Sequence, residues 1–188
     1  MLDTVSGSLG VPIDGKRIVS KMEVFSRAQY KRLEEANPGE LVRFAEGEGS
    51  TLAIVTSKSQ NETFGYLLLS STADNFEGPE FTLFEPNDPC LSYGLNWIIE
   101  LVEDERSVPR SRAGVDQLGV IRLLAEGPAM IVRGAQPNDR KRLGLFNLQT
   151  GKFVGRERHE GAPCFAWTIW ADATDMHRPG ARPIAIFP

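Results

Sequence analysis

Cys164 follows His159 and Glu160 closely enough to set a thiol beside an imidazole, the pairing that a nucleophile and its general base require. His159, however, lies in the charged run Arg156-Glu157-Arg158-His159-Glu160, where nothing adjacent orients it. The other cysteine, Cys90, has no histidine near it, and the chain holds only two histidines. Asp172, Asp175 and His177 form a second group of the right types, since carboxylates and imidazole can hold a metal. They supply only three ligands at a spacing that fits no known site, and are read as a solvated loop. The segment Glu46-Gly47-Glu48-Gly49-Ser50 has the glycines of a phosphate loop but lacks the Gly-Lys-Ser/Thr ending and the helix that should follow, so it is read as a hairpin connection. From these residues we assign no catalytic set, no metal and no cofactor, and expect a protein that is not an enzyme.

Binding residues stand out more clearly than catalytic ones. Strand alternation puts Phe165, Trp167 and Ile169 on one face of a strand, with Leu91, Tyr93 and Leu95 as their counterparts, and both sets are expected in the core. Trp170 falls on the opposite face with Ala166, Thr168 and Asp172, and its counterpart is Asn96. A large aromatic on the polar side of a strand is a candidate contact for a partner or a sugar. Trp170, Asn96 and Asp172 are therefore candidate ligand- or partner-binding residues, together with Arg156 and Arg158, which point the same way and suit an acidic partner.

These residues sit in a chain that contains itself twice. Leu41–Gly47 answers to Ile121–Gly127 with one residue shifted, Leu52–Val55 to Ala129–Val132, Phe64–Ser71 to Leu143–Thr150, and Pro89–Leu95 to Pro163–Ile169. The match pairs Arg43 with Arg122, Glu46 with Glu126 and Cys90 with Cys164. A duplicated arginine reads as a guard on a sheet edge or a partner for its neighbouring glutamate. The two cysteines are read as buried small apolar residues.

Hydrophobic residues make up 41% of the 188 residues, enough for a core, and the net charge of −4 gives nucleic acid little to hold. No charged-then-apolar leader and no long apolar run is visible, so neither a signal peptide nor a membrane span is expected, and a cytoplasmic or particle-bound location is.

The elements follow from pattern. Residues 1–17 read as an extended N-terminal arm. Residues 18–39 read as a strand over Ile18–Phe25 and a capped helix: Ser26 and Gln29 make a capping box, Tyr30, Leu33 and Ala36 repeat at helical spacing, and Asn37-Pro38-Gly39 stops it. Residues 40–105 form the first β repeat, in which Leu91–Val102 reads as one alternating strand, with a helix over Leu95–Glu103 as its rival. Residues 106–118 are a linker, 119–175 the second repeat and 176–188 a C-terminal arm ending in an edge strand bracketed by Pro183 and Pro188. Gln149-Thr150-Gly151-Lys152 is a hairpin turn. The expected fold is all-β with one short N-terminal helix, its duplicated modules packed as a pseudo-twofold sandwich or two small barrels. The stretch 143–170, a glycine turn before the aromatic strand Phe165-Ala166-Trp167, also resembles a β-trefoil repeat. That alternative needs three such units, and the chain shows two.

A duplicated β module, arms at both ends and no catalytic set together suggest a non-enzymatic structural or interaction protein. It would be a subunit of a virion or other particle, held by its termini through self-association or hetero-assembly with protein partners. A carbohydrate- or small-ligand-binding β module using Trp170 is the alternative. A small hydrolase-like enzyme using His159, Cys164 or the Asp172–His177 group comes third.

Overall fold

A computed structural model describes residues 26–58, 63–84, 88–103, 105–107, 117–134, 142–154 and 161–188. The first half carries seven strands: β1 (Gln29–Arg32), β2 (Leu41–Glu46), β3 (Gly49–Lys58), β4 (Phe64–Ser71), β5 (Glu80–Phe84), β6 (Pro89–Ser92) and β7 (Ile98–Val102). The second half carries β8 (Ile121–Leu124), β9 (Gly127–Arg133), β10 (Leu143–Asn147), β11 (Lys152–Val154), β12 (Ala162–Cys164), β13 (Ala166–Trp170), the helix α1 (Ala173–His177) and β14 (Ala185–Phe187). The protein is all-β with one short helix.

Tight turns drive the local ladders. Gly47 (φ 59°) lets β2 and β3 close at Glu46↔Gly49. Gly151 (φ 66°) closes β10 and β11, where Asn147 braces the turn by accepting hydrogen bonds from the backbone N–H groups of Gln149 and Thr150. In the first half the pairing order is β6-β2-β3-β4-β5, and the second half repeats it as β12-β8-β9-β10-β11. The two ladders join at one parallel bridge, Glu80↔Arg133, beside an Arg133–Glu77 ion pair of 2.5 Å. A separate sheet, β14-β13-β7, takes one strand from the first half and two from the second, with Glu100 opposite Thr168 at the centre of the β7–β13 ladder.

Alternation along these strands splits the apolar side chains into three cores. The central one lies between the long sheet and the three-stranded sheet and gathers residues of both halves: Leu52, Ile54, Leu67, Met130, Phe146, Trp167 and Ile169. Its largest member, Trp167, is fully buried, donates its indole N–H to the Gly119 carbonyl at 2.9 Å and stacks on Phe187 at 3.6 Å between ring centres. The C-terminal segment thus docks onto its own chain as the edge strand β14. The opposite faces of the two ladders hold smaller cores, one around Val42, Phe44, Tyr66 and Phe64, the other around Val120, Ile131 and Leu145.

Several expectations are corrected. The strand expected over Ile18–Phe25 and the arm 1–17 lie outside the described residues. No α-helix forms over 26–36. Gln29–Arg32 is a strand paired with β6, and only Leu33–Glu35 turns, as a 3-10 helix. The three-residue spacing that suggested a helix is met by that turn, which buries Leu33 and Ala36 and leaves Tyr30 76% exposed. The one α-helix among the described residues instead follows β13. Leu91–Val102 is two strands, because the chain leaves β2 after Ser92 and bends at Gly94 (φ 75°) to reach the other sheet. Leu91, within β6, and Leu95, beyond the bend, both expected in the core, are exposed. Phe165 packs with the second small core rather than with Trp167. No barrel closes among the described strands, so neither paired barrels nor a trefoil barrel describes the fold.

Individual residue matches between the halves also shift. The closing pairs Glu46↔Gly49 and Leu124↔Gly127 set Arg43 against Ile121 and Arg122 against Phe44. Arg43 is accordingly half-buried and donates to Ser50 Oγ at 3.3 Å, whereas Arg122 is buried. Cys90 and Cys164 are buried in different cores and are not bonded to each other.

Candidate functional site

The three-stranded sheet has one face in the central core and one face outward. Directly opposed residues of antiparallel strands share a face. The inner rows are Leu101–Trp167–Phe187 and Ile99–Ile169–Ala185; the outer rows are Val102–Ala166, Glu100–Thr168–Ile186 and Ile98–Trp170. The outward face is therefore apolar apart from Glu100 and Thr168. Ile186 is 69% and Val102 45% exposed, while Trp170 and Ile98 are half-buried. Trp170 donates its indole N–H to Glu100 Oε2 at 2.7 Å, which draws the single carboxylate toward the Trp170 end of the face. Val102 and Ala166 lie at the other end of the face, and Ile186 stands on the far edge of Glu100's own row, with Thr168 between them.

Trp170 thus lies on the outward face, as alternation predicts. The other candidates are not gathered round it. Its neighbour across the ladder is Ile98, whereas Asn96 is exposed and precedes β7. Asp172 caps α1, accepting the backbone N–H of Asp175 at 2.8 Å, and that bond holds its carboxyl below the usual range. Asp175 is buried and tied to Arg27 at 2.6 Å and Arg178 at 2.5 Å, while His177 is exposed. The Asp172–His177 group is thereby engaged in holding α1 against residues 26–28. Arg156, Arg158 and His159 lie outside the described residues. Cys164 is buried in the central core.

Two features were missed. One is a polar cluster under β1, β2 and β6. Glu40, buried just before β2, accepts from Lys31 Nζ at 2.8 Å, from the Asn37 side-chain amide at 2.8 Å and backbone N–H at 3.1 Å, and from the Ser92 hydroxyl. Burial alone pushes its carboxyl up, but Lys31, Ser92 and Asn37 outweigh it and bring the pKa down to about 2. The sequence signal was a glutamate directly before a strand, too common to single out. The other is a cleft of about 590 Å³ at the end of the first small core, bounded by β2, β4 and β5. Among the described residues no group of three His, Cys, Asp or Glu is placed to hold a metal, and no helix is long and apolar enough to cross a membrane. No family model, curated protein or solved structure matches this chain.

Proposed function

We propose that this chain is a non-enzymatic interaction protein that associates with further copies of itself through the outward face of β14-β13-β7. The observation that carries the reading is the pair of exposed aliphatic side chains, Ile186 and Val102, on the two edge strands of a sheet face whose one carboxylate is turned toward Trp170. Contiguous apolar surface on a folded chain is favoured for docking because covering it removes that area from water. Displacing Glu100 toward one end lets two copies of the aliphatic pair meet without opposing carboxylates, which would repel.

Light scattering across a range of concentrations tests this. The monomer is 20.8 kDa. A mass rising in whole-number steps above that value, restored to the monomer by Ile186→Glu, is expected. A monomer at every concentration, or an oligomer that Ile186→Glu leaves intact, would rule the reading out. Ile186 points to water on an edge strand, so this change leaves the fold in place, as circular dichroism will check.

A further inference from the structure

The cleft between β2, β4 and β5 is separate from the docking face and has its own chemistry. Its sides bring together three rings, Phe44, Phe76 and Phe84, and three carboxylates, Glu46, Glu80 and Asp88. No lysine, arginine or histidine lines it among the described residues. We propose that it binds an organic ammonium ion, with the charged group between ring faces and carboxylates and the apolar body against Leu68 and the rings.

Phe44, Glu46, Glu80 and Phe84 stand on strands of the sheet, while Phe76 and Asp88 lie on the connections before and after β5. Phe44 on β2 lies beside the Tyr66–Phe84 pair, 5.7 Å from Phe84 and 6.1 Å from Tyr66 between centres, so the face of Phe84 turned away from Tyr66 is the one a cation would meet. Behind Phe84 lies Tyr66, fully buried and stacked on it at 4.2 Å, which fixes the ring. Glu46 is fixed as well. Thr51, fully buried, has one proton and donates it to Glu46 Oε2 at 2.6 Å. Ser71 Oγ lies 2.8 Å from Thr51 Oγ1 and accepts the Ala73 backbone N–H at 3.1 Å, so its own proton goes to Thr51. The relay runs in one direction, from backbone to Ser71 to Thr51, and ends on a carboxylate at the rim. Glu80 faces the cleft because it stands opposite Leu68 in the β4–β5 ladder.

The nature of the cation follows from what is missing. The carboxylates do not converge as a metal-ligand set. A compact ion such as calcium needs six to eight oxygens at close range. Three acids spread around aromatic and aliphatic walls instead suit a diffuse charge on an apolar body, and the volume is that of a small-molecule site.

Choline and its uncharged carbon isostere, 3,3-dimethyl-1-butanol, are the probes, titrated into the full chain and followed by amide chemical shifts. Choline is expected to shift Glu46, Gly47, Ala73 and Thr82 with saturation, and the isostere to bind about tenfold more weakly. Glu80→Gln and Phe84→Leu should each weaken choline several-fold, and the same spectra show whether they fold. Equal affinity for the two probes, unchanged binding in both variants, shifts confined elsewhere, or tighter saturation of the same amides by calcium chloride would each overturn the proposal.

Discussion

Replacing Glu40 by glutamine tests the electrostatics of the cluster that ties β1, β2 and β6 together. Glu40 has a pKa of about 2 in the folded chain against an ordinary 4.5. At 1.36 kcal/mol per pH unit, that difference is worth about 3 kcal/mol of folding free energy. Because the folded-state value is the lower one, the unfolded chain binds the extra proton as pH falls. The contribution is complete above about pH 4.5 and is lost on the way down to about pH 2. Glutamine carries no titrating charge and leaves the Lys31 ammonium, whose side chain is only 19% exposed, without its 2.8 Å partner. The variant should therefore be less stable than the wild type at pH 7 by about 3 kcal/mol, the range seen when one member of a buried pair is removed. It should close most of that gap by pH 2. Urea unfolding read by tryptophan fluorescence at half-unit steps from pH 2 to 7 gives both curves, and subtracting them cancels the other carboxylates. An acid limb as steep in Glu40→Gln as in the wild type would refute the reasoning.

Other outcomes follow from the packing. Gly134 has φ 85°, and a Cβ there would lie 2.2 Å from the Phe81 carbonyl oxygen, so Gly134→Ala should destabilise by more than about 2 kcal/mol. Gly47→Ala, with φ 59° and open space around it, should cost about 1 kcal/mol in the same urea assay. Trp167→Phe removes the hydrogen bond to Gly119 and leaves a void against Phe187, which predicts a loss of about 3 kcal/mol by thermal or urea unfolding. Burial raises the Cys90 thiol to about 11, and Cys164 is equally enclosed, so native protein should react with a disulfide reagent orders of magnitude more slowly than urea-unfolded protein, measured by absorbance of the released thiolate.

What was legible in the sequence was local. The turns at Gly47 and Gly151 could be read because a tight hairpin needs positive φ, and Trp170 could be assigned to the outward face because alternation has a period of two residues. The segment around Tyr30 was misread because a 3-10 turn and an α-helix share the three-residue spacing, and β6 recruits Gln29–Arg32 from far along the chain. The cleft was invisible for a related reason. Phe44, Glu46, Glu80 and Phe84 become neighbours only once β2, β4 and β5 take their places in the sheet. The sequence blocks matched between the halves set Arg43 against Arg122, positions that the ladders do not equate.

The ladder between β7 and β13 has a consequence for the order in which the molecule forms. Every hairpin of the long sheet closes across a short stretch of chain, but Val102 meets Ala166 only after about sixty residues have been brought round, which costs about 2 kcal/mol more than a four-residue turn. The hairpins of each half close locally, whereas the β7–β13 ladder, like the pairing of Gln29 with Ser92 in the long sheet, waits on a closure of about sixty residues. The outward face of the three-stranded sheet exists only once this long-range closure is made. Under the proposed self-association, only a chain that has formed this ladder would present the docking face.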